Sequence, residues 1–426
     1  MTQHTPILIV GAGQAGAMAA AALRSLGYGG RIVMAGGERH APYERPPLSK
    51  SVLADVEQDG KIGVHPPSFY ADQDIELRLG ACVTALDATR HVAQLADGSA
   101  IGYDACLLAT GGNARVLPAL PPGTPHVHYL RSLDDAARLR HAMQRAGELV
   151  VIGGGFLGLE TASTAAGMGL KVTLIESAER LLGRALPPEL GTWLADRGRA
   201  QGVTLHLGCS IEVCGTSGDG VHLQLAGGAV LRAPLVVVAI GLSPEVTLAA
   251  GAGLALHPQN GGIQVDERCR TSAPDIHAAG DCCSQYQPLF GTEMRLESWQ
   301  SANEQARIAA ASMLGVDAGP TALPWFWTDQ FGCNVQMLGA AHPDIRYDWR
   351  GFAAHADATP KFMLLGTCHG RLRHAIAVNA GGDLRQLRSL VGHDVSAHLA
   401  RLCDDTLPLR QVVRERQPEA DRSITL

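Results

Sequence analysis

The chain has 426 residues, 46% of them hydrophobic and 18% charged, with a formal net charge of -6 at pH 7. That length and apolar content allow two or three domains with their own cores and exclude a disordered chain. The mildly acidic balance gives no basis for binding nucleic acid or an anionic membrane, and no apolar run approaches the ~20 residues of a spanning helix. The first strand begins within six residues of Met1, so no cleavable leader is expected and the cytoplasm is the expected compartment.

In chain order, the first predicted strand, ending at Val10, runs into Gly11-Ala12-Gly13-Gln14-Ala15-Gly16 and a helix rich in Ala, Leu and Met. In such a turn the first glycine allows the bend, the second lets the backbone approach a pyrophosphate, and the third lets helix pack on strand; phosphate charge then sits on the helix N-terminus. A second strand (31–35), a proline-stiffened loop from Ala41 to Lys50, and short strands and turns over 75–109 follow, closing in Leu107-Leu108-Ala109-Thr110-Gly111-Gly112. After a linker-like stretch at Pro118 and Pro121-Pro122-Gly123, the pattern recurs. A strand ending at Ile152 enters Gly153, Gly155, Phe156, Leu157 and Gly158, and Ala162 and Gly169 repeat the spacing of Ala20 and Gly27 after Gly16. This second unit also ends in an apolar strand and a glycine, Gly241, so the repeat covers a whole domain. Two dinucleotide sites in one chain point to electrons passing from one to the other.

From Gly261 the pattern changes. A buried strand ending in Gly280-Asp281, followed by a helix at 297–314, is expected to complete the first domain's sheet. The expected division is a dinucleotide-binding domain from 1–113 and 247–320, a second from 114–246, and an α+β domain from 321–426. The last has predicted strands at 334–338, 361–367 and 374–379.

Glu176 ends the second unit's second strand, where a carboxylate accepts hydrogen bonds from adenosine-ribose hydroxyls and repels a 2′-phosphate; this favours NADH over NADPH. The alternative is a solvated acid, and Arg180 or Arg184 nearby could meet a phosphate. In the first unit glycine (Gly37) holds the corresponding place, with Glu38 one or two positions late, a ribose ligand if the strand end is bulged and otherwise a surface acid. Asp281 is placed to bind a ribityl chain, and Lys50 and Arg45 are candidate cations for a flavin or its pyrophosphate; each has an exposed charge as its alternative. The ten cysteines form no C-x-x-C pair, and the histidines show no metal-site spacing, so no metal centre is expected. Cys209 and Cys214 read as ordinary thiols, while adjacent Cys282 and Cys283 directly follow Asp281.

The first glycine motif, Pro42-Tyr43-Glu44-Arg45-Pro46-Pro47-Leu48-Ser49-Lys50, Leu108-Ala109-Thr110-Gly111, the second motif with Glu176, and Ala278-Ala279-Gly280-Asp281 occur in this order. Together they resemble the FAD-dependent, NADH-linked ferredoxin reductases that serve ring-hydroxylating dioxygenases and bacterial haem-thiolate monooxygenases. The segments 295–300 and 324–330 extend the likeness, which covers about residues 6–380. The resemblance implies a glutathione-reductase-like α/β fold: two Rossmann-type domains and a C-terminal α+β domain.

It also implies that FAD is contacted by Ala15, Lys50, Val83, Arg131, Asp281 and Trp299, which join Gly11, Gly13, Gly16, Glu38 and Arg45 as read from the residues, although Gly37 stands where the family usually has its ribose-binding acid. NAD is then bound by Gly153, Gly155, Phe156, Leu157, Gly158, Glu176, Arg184 and Gly241. Glu160 pairs with Lys50 beside the flavin, and Trp327 lies on the ferredoxin side, with core packing as its alternative. Arg307 is a candidate contact for an acidic ferredoxin or a solvated charge. Glu245 follows Pro244 where the family commonly has asparagine, a change expected to affect only a turn.

The implied activity is hydride transfer from NADH to FAD, then single electrons to a [2Fe–2S] ferredoxin and indirectly to an oxygenase, with the protein a monomer or homodimer. A disulfide-type reductase or NADH oxidase is the rival, though such relatives carry a cysteine in the loop corresponding to Gly36–Leu53, which has none. A signalling flavoprotein is the second rival.

Overall fold

The computed structural model describes residues 5–319, 321–351 and 359–416. Ile7–Val10 is an uninterrupted apolar strand because both its faces are covered, the usual reason for such runs in parallel sheets. Ile32–Gly36 and Ala105–Leu108 pair with it on either side, both in parallel. Ile75–Leu79 extends the sheet beyond Ile32–Gly36, and the chain returns at Ile276–Ala278 to add a strand beside Ala105–Leu108. On one face lie the helices Gln14–Ser25 and Trp299–Met313. Their alanines (Ala17 and Ala20, Ala306 and Ala309) let the helices and the sheet come close. On the other face the antiparallel strands Val83–Asp87, Val92–Leu95 and Ala100–Gly102 bury Val83, Leu86, Leu95 and Ile101.

The repeat builds its own parallel core, with Glu148–Ile152 beside Val236–Val238 and Val127–Tyr129 beyond. The helix Phe156–Gly167 follows its glycine turn, and an antiparallel sheet of Ile211–Ser217, Gly220–Leu225 and Val230–Ala233 precedes the last core strand. The two crossings between these sheets, Gly112–Ala114 and Leu242–Pro244, pair antiparallel. Glu245 does more here than shape a turn. Its carboxylate accepts from Asn113 Nδ2 (2.7 Å) and from the Thr247 amide (3.0 Å), and its carbonyl accepts from the Thr110 hydroxyl (2.6 Å), so it fastens both crossings.

Two compact units result: Met1–Leu174 with Ser210–Ala322, and Ile175–Cys209 with Leu323–Leu426. The second carries an antiparallel sheet in the order Trp325–Gln330, Cys333–Gly339, Arg371–Val378, Phe362–Cys368, Arg346–Arg350. Its first and last strands lie outside the segments expected from sequence, because both are edge strands whose half-buried alternation is weak. The helix Pro188–Ala200 belongs to this unit: Trp193 meets Phe362 edge-on at 5.1 Å, and Gly198 gives Phe331 room that a β-carbon would fill at 3.1 Å.

Candidate functional site

The two glycine turns are built alike. Gly11 has φ +116°, and a β-carbon there would lie 2.1 Å from the Ala109 carbonyl; Gly153 has φ +111° and the same relation to Ala239 at 2.3 Å. The middle glycines differ in kind: a β-carbon on Gly13 or Gly155 would meet nothing within 4 Å. Each is the N-cap of its helix, and neither supplies a side chain to cap it. Both turns thus present helix N-terminal amides over an open approach, which fits the pyrophosphate of a dinucleotide. Ala15 and Gly16 are buried behind the first turn; Phe156 and Leu157 are half-buried in the second, and Gly158 packs on Gly153. Gly241 is exposed at the second crossing, where its carbonyl accepts from Arg115.

The loop ending at Lys50 is no plain loop: Pro46–Ser49 forms a 3-10 turn that runs into a short helix, Ser51–Ala54. Proline pre-sets the backbone angle of that turn and removes amides that would need partners. Its end docks on Phe156–Gly167. Lys50 Nζ lies 2.9 Å from Glu160 Oε2, with the Glu160 side chain nearly buried and Lys50 about one fifth exposed. Lys50 also donates to the Pro46 carbonyl at 3.0 Å. A carboxylate this buried requires a partner, and the ammonium supplies one.

A second charged group gathers Glu38, Arg45, Arg131 and Asp281. Arg45 pairs with Glu38 Oε1 (2.6 Å) and donates to the Arg131 carbonyl (2.6 Å), and Arg131 Nη2 reaches Asp281 Oδ2 at 3.3 Å. Tyr43, which sequence reasoning did not single out, closes the group. Its hydroxyl donates to Glu38 Oε2 at 2.5 Å and accepts from the Leu133 amide at 2.9 Å, and burial pushes it above the usual phenol range. Burial first, and then the neighbouring Arg45 guanidinium, lower the Arg131 pKa. Glu38 and Asp281 offset the charge of the two guanidinium groups, so the four side chains form a balanced network of donors and acceptors. Trp299 is held by Glu44, its indole N–H 3.1 Å from Oε1, and Val83 is buried under the antiparallel strands. In these ways the first unit brings together Glu38, Arg45, Arg131 and Asp281, and separately Lys50 and Glu160.

In the second unit Glu176 ends its strand with Oε1 accepting from the Ala178 amide at 2.7 Å, and Arg184 is exposed in the following turn. Trp327 stacks on Trp325, centroids 5.1 Å apart and planes 21° from parallel, and Trp325 in turn donates to Gln336 Oε1 at 3.3 Å. Arg307, in the first unit, is engaged by Glu304 and the Ala318 carbonyl. Cys282 and Cys283 are fully buried, and burial pushes both thiols upward, away from the reactive thiolate. Among the described residues no cluster of His, Cys, Asp and Glu could hold a metal ion, and no helix is long and apolar enough to cross a membrane.

Residues 5–306 match the pyridine nucleotide-disulphide oxidoreductase model, and residues 325–413 match a reductase C-terminal model. The chain belongs to the pyridine nucleotide-disulphide oxidoreductase family. It is 41% identical over 392 residues to the 3-phenylpropionate/cinnamic acid dioxygenase ferredoxin–NAD(+) reductase component of Photorhabdus laumondii, covering 92% of this chain and 97% of that one. It is 38% identical to the anthranilate 1,2-dioxygenase system ferredoxin–NAD(+) reductase component of Burkholderia cepacia, covering 95% and 98%. Among solved structures it is similar to the reductase in the covalent putidaredoxin reductase–putidaredoxin complex, with a TM-score of 0.91, 34% identity, and coverage of 97% and 99%. The fold is the glutathione-reductase-like one expected, and the protein is an oxidoreductase that works with FAD and NADH.

Proposed function

We propose that this protein is an NADH-dependent ferredoxin reductase, taking hydride from NADH onto FAD and passing electrons singly to a small [2Fe–2S] ferredoxin that feeds an oxygenase, with an aromatic-ring-hydroxylating dioxygenase as the favoured recipient. The observation that carries the reading is the Lys50–Glu160 pair, a buried ion pair set between the first glycine cradle's domain and the helix of the second. FAD, when bound, accepts two electrons together and releases them one at a time. The chain's own part is alignment and charge. Gly11, Gly13, Ala15 and Gly16, with Glu38, Arg45, Val83, Arg131, Asp281 and Trp299, hold FAD in the domain formed by 1–113 and 247–320. Gly153, Gly155, Phe156, Leu157 and Gly158, with Glu176, Arg184 and Gly241, hold NADH in 114–246.

Lys50 offsets negative charge that builds on the flavin, and Glu160 keeps the ammonium in place. Trp327, in the 321–426 domain, faces the ferredoxin, and its stack on Trp325 fixes its ring. Arg307, already engaged by Glu304, is the weaker candidate for that contact. The loop from Gly36 to Leu53 contains no cysteine, so the disulfide-reducing chemistry named in the family description has no thiol there to use. A cytoplasmic protein, monomeric or dimeric, is the setting we favour.

The test is anaerobic stopped-flow absorbance, mixing the purified protein with NADH or NADPH and then with a [2Fe–2S] ferredoxin. Fast bleaching by NADH, slow bleaching by NADPH and reoxidation by the ferredoxin are expected. A reduced flavin that no ferredoxin reoxidises, but dioxygen does, overturns the reading in favour of an oxidase.

A further inference from the structure

Ser49 makes two contacts that the Lys50–Glu160 pair does not require. Its hydroxyl donates to Glu160 Oε2 at 2.5 Å, the same oxygen that Lys50 Nζ meets at 2.9 Å. Its carbonyl accepts from Thr164 Oγ1 at 2.7 Å. Glu160 and Thr164 stand four residues apart on one face of the Phe156–Gly167 helix, so that face grips the 3-10 turn twice, once through the Ser49 side chain and once through its backbone. Ser49 is 2% exposed and Glu160 6%, so water competes little for either bond.

We propose that Ser49, anchored by Thr164, is a positioning residue that fixes the Glu160 carboxylate against Lys50. A neutral donor on a buried carboxylate satisfies its oxygen without adding charge of its own. Lys50 alone could swing with its four-carbon stem; with Ser49 on the same oxygen, the carboxylate is fixed from the backbone side and the ammonium follows it. The elements packed on the helix, namely the 3-10 turn, the Ser51–Ala54 helix and the strand Glu148–Ile152, bring Arg45, Lys50 and Glu148 as titratable groups on or beside them. Arg45 is engaged by Glu38 and Glu148 by Lys171, whereas Lys50 meets Glu160.

This inference rests on the reading that Lys50 lies at the flavin, and the experiment separates the two. The FAD-loaded protein and the variants Ser49→Ala, Ser49→Thr, Thr164→Val and Lys50→Met are titrated anaerobically against reference dyes, and the flavin midpoint potential is read at neutral pH. Without the Ser49 hydroxyl the carboxylate holds the ammonium less firmly, so the potential of Ser49→Ala moves from the parent's towards that of Lys50→Met. Ser49→Thr keeps the hydroxyl and leaves the potential where it stands in the parent. Thr164→Val, which loses the backbone anchor but keeps the Ser49 hydroxyl, moves it in the same direction by less and serves if Ser49→Ala does not retain FAD. A purely structural role changes thermal stability or FAD content and leaves the potential unmoved. If Lys50→Met lowers the potential while both Ser49→Ala and Thr164→Val keep the parent's value, the role of Ser49 is overturned alone. If Lys50→Met leaves the potential unchanged, the placement of Lys50 fails, and this inference with it.

Discussion

Arg131 Nη2 lies 3.3 Å from Asp281 Oδ2, tying the start of the segment between the two sheets to the turn that follows the returning strand. Arg45 stands close enough to Arg131 to lower its pKa, second only to burial. In the proposed reading Arg131 donates to FAD, so replacing Arg131 with Met is expected to weaken FAD binding by roughly tenfold or more, an ionic hydrogen bond being worth about 1.5–3 kcal/mol. Flavin fluorescence on dilution measures it. FAD retention equal to the parent would remove Arg131 from the site.

Gly11 and Gly13 are expected to fail differently. Alanine at Gly11 drives a β-carbon to 2.1 Å from the Ala109 carbonyl at a positive φ, which costs roughly 2–4 kcal/mol and gives little folded protein. At Gly13 the β-carbon meets no protein atom within 4 Å, so Gly13→Val is expected to fold with near-parent stability and lose its flavin. Circular dichroism and the yellow colour of the purified protein distinguish the two.

Glu176 sets the coenzyme preference in this reading. Glu176→Ala is expected to lower kcat/KM for NADH by roughly tenfold, about 1.4 kcal/mol, while leaving NADPH nearly unchanged or improved. Steady-state rates with ferricyanide as acceptor, which bypass the ferredoxin, provide the check. An unchanged NADH to NADPH ratio would return Glu176 to the status of a surface acid.

Burial pushes the His374 pKa down to about 4, and the ring is 2% exposed beside the Tyr347 hydroxyl at 2.8 Å. The unfolded chain takes up that proton near pH 6.5, so between about 6.5 and 4 the unfolded state binds more protons and stability falls as the pH falls. The contribution at neutral pH is on the order of 3 kcal/mol and is lost towards pH 4. His374→Gln, a neutral replacement, is expected to flatten the acid side of a plot of Tm against pH. An acid limb as steep as the parent's would show that His374 is not what titrates.

What the sequence makes legible is local. The glycine turns, the apolar parallel strands and the helix starting after each turn are set by neighbours a few residues apart, and the structure builds them as such. Tyr43 to Leu133, Ser49 to Glu160 and Thr164 to Ser49 join residues separated by 90, 111 and 115 positions, and no periodicity announces them. Their one sequence trace is position: Tyr43 and Ser49 lie inside the segment that ends at Lys50, and Thr164 stands one helical turn after Glu160. The edge strands Trp325–Gln330 and Arg346–Arg350 escaped for another reason. Half-exposed strands mix polar and aromatic residues, and their pairing partners decide their conformation.

The antiparallel pairing of Gly112–Ala114 with Leu242–Pro244 sets Ala114 directly across from Leu242, so the polypeptide departs and comes back through a single doorway. To the sheet that begins with Ile7, everything in between is one long loop with adjacent ends. Cutting there would leave the strand order around Ile7 intact, yet it would also take away the helix Pro188–Ala200 and with it the cover of Phe331 and Phe362.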